Sequence, residues 1–216
     1  MNGPIEVIKY RGHKIKIFYD ESCESPDDWG DDEVFLVYDH RDFCVKRKGF
    51  DPETIFNHLL GKHNKFEDHW VFPVYAYIHS GVSLSLYNGK YPFTCPWDTS
   101  FRGFVLVKCD TEIEKSYNEE LETARKRAEG LIDIWNTYLS GEIYGYNSEV
   151  GGCLNFYGEE GKKQMIAEAK LEIDQYINEQ NSLTKFNHIT KLKTWIRNRV
   201  PLYVRTPLVL PFEYVL

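Results

Sequence analysis

The run Trp70-Val71-Phe72-Pro73-Val74-Tyr75-Ala76-Tyr77-Ile78, followed after His79-Ser80-Gly81 by Val82-Ser83-Leu84-Ser85-Leu86-Tyr87, decides the fold. Both pieces are rich in β-branched and aromatic residues, which suit a pleated, half-buried surface. Each has the length of a strand, and Ser80-Gly81 punctuates them as a turn. Two core strands are therefore predicted around His79-Ser80-Gly81. Working outward, residues 5–10 and 14–19 alternate apolar and polar side chains about Arg11-Gly12-His13, the pattern of a β-hairpin. Glu33 to Tyr38 is an apolar run short enough for a buried strand, and Gly103 to Lys108 is another. Sheet dominates the first half of the chain.

Helical signals take over later. Asp51-Pro52-Glu53 supplies an N-cap, a proline at the first helical position and an acid in the first turn, predicting a helix that stops at Gly61. Between Glu112 and Ser140, the side chains of Ile113, Tyr117, Leu121, Ala124, Ala128, Leu131, Trp135 and Tyr138 recur at gaps of three and four, one stripe of a long helix. Gly151-Gly152, between Ile143–Tyr146 and Cys153–Tyr157, predicts a second hairpin. Helices are expected over 162–179 and 184–199, with a break at Gln180-Asn181-Ser182 and a stop at Pro201. Residues 202–216, apolar and punctuated by proline, read as an extended strap. The expected class is α+β: an antiparallel sheet covered by the helix 112–140 in a core domain 1–158, with a helical extension 159–216 packed on it.

The chain has 216 residues, 42% hydrophobic and 15% aromatic, enough for a substantial core. Its five cysteines, Cys23, Cys44, Cys95, Cys109 and Cys153, contain no C-x-x-C pair, so free thiols are expected rather than a zinc site. The N-terminus lacks the apolar segment of a signal peptide, and no apolar run approaches the roughly 20 residues of a membrane span. The expectation is a soluble cytoplasmic protein with no membrane partner. A net charge of −7 argues against direct nucleic-acid binding, which needs a basic surface. Neither a Rossmann fingerprint nor a P-loop occurs, and no cofactor is expected.

Taken together, several pieces resemble a family of small uncharacterised proteins carried by bacterial phages and plasmids. They are Ser25-Pro26 with Trp29, Tyr77-x-His79-Ser80-Gly81, Pro92-Phe93-Thr94-Cys95-Pro96-Trp97-Asp98 with Gly103-Phe104, Tyr138-Leu139-Ser140-Gly141-Glu142-Ile143-Tyr144-Gly145-Tyr146, and Asn155-Phe156-Tyr157-Gly158. The resemblance spans about 20–158 and implies a mobile-element origin in a bacterial host cell. It assigns no activity. Where the family pattern often has an acid before the histidine, this chain has Ile78.

Two surfaces carry the chemistry. From Asp20 to Glu33 the chain has Asp20, Glu21, Glu24, Asp27, Asp28, Asp31, Asp32 and Glu33 and no base. Such a block repels itself and calls for solvent or a cationic partner. A carboxylate array can occupy a groove built for phosphates, so Asp27, Asp28, Trp29, Asp31, Asp32 and Glu33 form the candidate site for a basic host protein, in the mode of an inhibitor of a nucleic-acid-binding defence protein. The competing reading is a small hydrolase or transferase with Cys95 as nucleophile, His79 as base and Asp98 as orienting group. Its bland counterpart packs Cys95 and Trp97 in the core, with Asp98 capping a turn. Metal readings are weaker. His63 and His69, with Glu67 or Asp68, lack a helical ligand spacing, and the acidic doublets miss the alternation of a calcium loop, so no metal is expected.

Overall fold

The computed structural model describes residues 3–59, 64–109 and 116–199. In chain order the elements are β1 (Glu6–Tyr10), β2 (His13–Tyr19), a 3-10 turn (Pro26–Trp29), β3 (Val34–His40), β4 (Phe43–Val45), α1 (Pro52–Leu59), β5 (Lys65–Phe66), β6 (His69–Ile78), β7 (Val82–Leu86), β8 (Thr99–Lys108), α2 (Tyr117–Ser140), β9 (Ile143–Asn147), β10 (Gly152–Tyr157) and α3 (Gly158–Arg199). The class is α+β, with a long helix over an antiparallel sheet and a helical C-terminal part, as the sequence predicts. The strands form two sheets, however, where the sequence reading places one.

The larger sheet runs β4-β3-β8-β6, and β5 and β7 both pair with the remaining edge of β6, one near each end. Its registers set Leu36 against Val105 and Trp70 against Val107. Both faces are covered. On one, Ala124, Ala128, Ile132 and Trp135 of α2 meet Leu36, Tyr38, Trp70, Phe72, Val74, Leu84 and Val105. On the other, Ile55 of α1 packs with Phe35, Val37, Val71, Phe104 and Leu106. Double coverage explains why β3 is apolar without alternation: Val34 through Tyr38 are all buried. Gly103 is required on steric grounds, since a Cβ there would run into the Tyr38 ring and the Val37 carbonyl. Helix α2 is capped by Ser116, whose hydroxyl accepts from Glu119 N while the Glu119 carboxylate accepts from Ser116 N, a complete capping box.

The second sheet, β1-β2-β9-β10, joins the first hairpin of the chain to the last. Ile15, Ile17, Tyr144 and Tyr146 pack there under Met165, Ala169 and Ile173 of α3. Polar ties hold that helix down: Lys162 to Glu6 at 3.0 Å, Arg11 to Asp174 at 3.1 Å, and the Tyr10 hydroxyl donating to Asp174. Helix α3 runs unbroken through Gln180-Asn181-Ser182, correcting the expected break. Ser182 Oγ donates to Asn178 O and Thr184 Oγ1 to Gln180 O, so the hydroxyls return to the helix carbonyls instead of competing with them. The strap at 202–216 and His63 lie outside the described residues.

Asp20 follows β2 at the end of the second sheet. It is buried, its Oδ1 accepts from Ser22 N and Oγ, and its Oδ2 accepts from Asn155 N. Asn155 sits at φ +68° where the β9–β10 register shifts, a conformation asparagine tolerates better than most residues.

Candidate functional site

The acidic segment is anchored by its ends. Ser25 caps the 3-10 turn by accepting from Asp27 N, Pro26 is buried, and Gly30 leaves the turn in the left-handed region at φ +68°. Trp29 meets the Tyr157 ring edge-on at 5.2 Å and remains 44% exposed. The Tyr157 hydroxyl donates to Glu24 O at 2.6 Å, and burial, with lesser help from Cys23 and other neighbours, pushes that phenol up to about 12. The Cys23 thiol is also raised, by burial first and then by Asp20.

The fold supplies bases that the local sequence lacks. Arg47 reaches Asp32 and lies 4.0 Å from Asp27, and its guanidinium stacks over Phe35 at 4.3 Å. Arg127 of α2 donates to Glu33 at 2.7 Å. Asp31 turns inward on its own backbone, accepting from Glu33 N at 2.8 Å and Val34 N at 3.4 Å. Of the six residues expected to face a partner, Asp27, Asp32 and Glu33 are thus tethered by arginines, Asp31 caps the turn, and Asp28 and Trp29 look outward. Two of the tethered acids are still presented, since the Asp32 side chain is 88% and that of Glu33 67% exposed, while Asp27 is the more covered. Arg47 and Arg127 are absent from the sequence reading because nothing near residue 30 announces them.

His79, Cys95 and Asp98 do come together. The register Tyr77↔Thr99 places the exit of β6 beside the entry of β8, and Ile78 N donates to Asp98 O at 2.7 Å. Cys95 Sγ donates to Asp98 Oδ2 at 3.2 Å, and His79 Nδ1 lies 3.7 Å from the same oxygen. Thr99 Oγ1 closes the loop by donating to Cys95 O at 2.6 Å. The order is thiol, carboxylate, imidazole. A nucleophilic relay needs the imidazole between the other two. Trp97, assigned to the core in the packing reading, is instead 92% exposed, on the bend before β8.

Among the described residues, no group of three or more His, Cys, Asp and Glu side chains is arranged to hold a metal ion. Two troughs lie on the α1 side of the larger sheet. One, of about 420 Å³, is lined by Asp39, Lys46, Arg47, Phe50 and Asp51, and the other, of about 440 Å³, by Asp39, Glu53, Phe56, Phe101 and Arg102. Neither reaches His79, Cys95 or Asp98. No protein-family model matches the chain, and neither a curated protein nor a solved structure does.

Proposed function

We propose that the protein is a non-enzymatic binding protein of a phage or other mobile element, which blocks a basic surface of a host protein of the nucleic-acid-binding defence class, as an anti-CRISPR or anti-restriction inhibitor would. The observation that carries the reading is the preset acidic turn: Asp28 and Trp29 point outward, while Asp27, Asp32 and Glu33 are held by Arg47 and Arg127. Carboxylates already fixed by the fold lose less freedom on binding, which leaves more of the attraction as affinity. Array and groove attract by charge complementarity, and a half-exposed tryptophan at the centre supplies the kind of anchor that dominates interface energies.

The test is the double substitution Asp28→Lys with Asp32→Lys. Asp31 is left alone because its loss would also uncap the turn. The variant should keep its circular dichroism spectrum. Binding to a host defence nuclease should fall by at least about 10-fold, since like charges facing each other cost several kcal/mol, and wild-type binding should weaken with salt. Unchanged binding by the variant removes the acidic turn from the interface.

The proximity of Cys95, Asp98 and His79 motivates one second reading, the small hydrolase or transferase, which requires the imidazole to move from Asp98 to the thiol. Cys95→Ser separates the two. It abolishes turnover in an enzyme and leaves an inhibitor's affinity intact.

A further inference from the structure

Helix α3 has two halves of different character. Through Ile177 it contributes side chains to the core of the second sheet. From Glu179 to Arg199 almost every residue is exposed, and at 1.5 Å per residue this stretch is a rod of about 30 Å. From Gln180 to Arg199 it carries Lys185, Lys191, Lys193, Arg197 and Arg199 and no acid, in a chain whose net charge is −7. It also exposes Phe186 (66%), Trp195 (51%) and Leu192 (45%).

Helical spacing sorts these groups. Phe186, Ile189, Leu192 and Ile196 fall on one half of the circumference, with Lys185 and Lys193 among them and Arg197 and Arg199 at its margins. Thr184, Asn187, Thr190, Lys191, Thr194 and Asn198 take the opposite half, with Leu183 among them and Trp195 at its edge. An apolar centre set among long basic side chains matches an anionic lipid surface. The rings and aliphatic groups enter the acyl boundary, while lysines and arginines lie along it with their charges at headgroup level. Trp195, at the edge between the two halves with the Arg199 guanidinium 5.7 Å from its ring, is a residue type that favours that interface.

We propose that residues 180–199 of α3 dock flat on an anionic membrane surface. This goes beyond the acidic-turn reading and does not depend on it. The segment does not span, since no helix among the described residues is long and apolar enough to cross a membrane. Charge selects the occupant. Two copies pairing through this face would set bases against bases, and nucleic acid would leave its four apolar side chains unused. The acidic body is repelled from the same surface, so the rod is the end that approaches.

The test is co-flotation of the full chain with phosphatidylglycerol–phosphatidylcholine vesicles and with pure phosphatidylcholine vesicles. Binding is expected to the anionic vesicles, weakening with salt. Reversal of Lys185 and Lys193 to Glu should lower partitioning at least about 25-fold, because each base near an anionic surface contributes about fivefold, while Lys191→Glu on the opposite half should change it less. Phe186→Ser with Ile189→Ser should remove the binding that survives high salt. These positions lie outside the core contacts, and circular dichroism checks that the variants fold. The proposal is overturned if anionic vesicles fail to carry the chain at low salt or if reversal of Lys185 and Lys193 leaves binding unchanged. It is equally overturned if duplex DNA competes the chain off the vesicles through the same lysines, or if sedimentation shows a dimer that the reversals dissolve while vesicle binding is absent.

Discussion

Asp20 gives its two carboxylate oxygens to donors far apart in the chain, Ser22 beside it and Asn155, 135 positions on. Asp20→Ala would remove these hydrogen bonds and leave their exposed donors to water, and the unfolding free energy in urea should fall by about 1 kcal/mol. Asp20→Asn keeps an acceptor and should cost less. Tyr157 works at the same scale. Burial raises its pKa to about 12 from an ordinary value near 10, so the folded chain holds that proton more tightly than the unfolded one. The stabilisation is complete below pH 10 and is lost as pH rises through about 12. The urea midpoint should therefore drop over that interval, and Tyr157→Phe should make the drop shallower. Sequence supplies the residue types of the His79, Cys95 and Asp98 cluster but not their meeting, which depends on the pairing of Tyr77 with Thr99. The outward turn of Trp97 has no signature at all, because a tryptophan between proline and aspartate reads equally as core or surface.

Among the elements, β7 shows how a helix can finish a sheet. Asn136 of α2 accepts from Leu84 N at 2.7 Å and donates to Leu84 O at 2.9 Å, taking the place of a further strand along that edge. Leu84 is buried, so Asn136→Ala leaves both backbone groups without partners. It should destabilise the protein by about 2 kcal/mol, with faster amide exchange concentrated in β7. Elements with strong local chemistry were legible: the hairpin at Arg11-Gly12, the Asp51-Pro52 helix start, and the stripe of α2. The three-residue β4 and two-residue β5 were not, because so short a segment shows no period and exists only through its partner. The sequence predicts a break at Gln180-Asn181-Ser182, but none of the three forbids a helix, and Glu179, Leu183 and Lys185 beside them are good formers.

At the scale of the molecule, strand patterns name strands but not their neighbours, which is why one sheet was expected and two are found. The second sheet brings together residues 6–19 and 143–157, with α3 as its lid. The charge distribution is equally divided, with acids on the 3-10 turn and bases on the far end of α3, a separation visible in the sequence but without a geometry until the helix proved continuous.

The pairing of Phe18 with Gly145 sets a timetable for synthesis. As the polypeptide leaves the ribosome, the hairpin β1–β2 emerges ahead of its partner strand β9, which follows only after more than a hundred further residues have been translated. Ile15 and Ile17 then stay wet on a nascent ribbon, while the larger sheet behind them can already close. A chaperone that captures short apolar strands should therefore engage this protein early and release it only when α3 has been made.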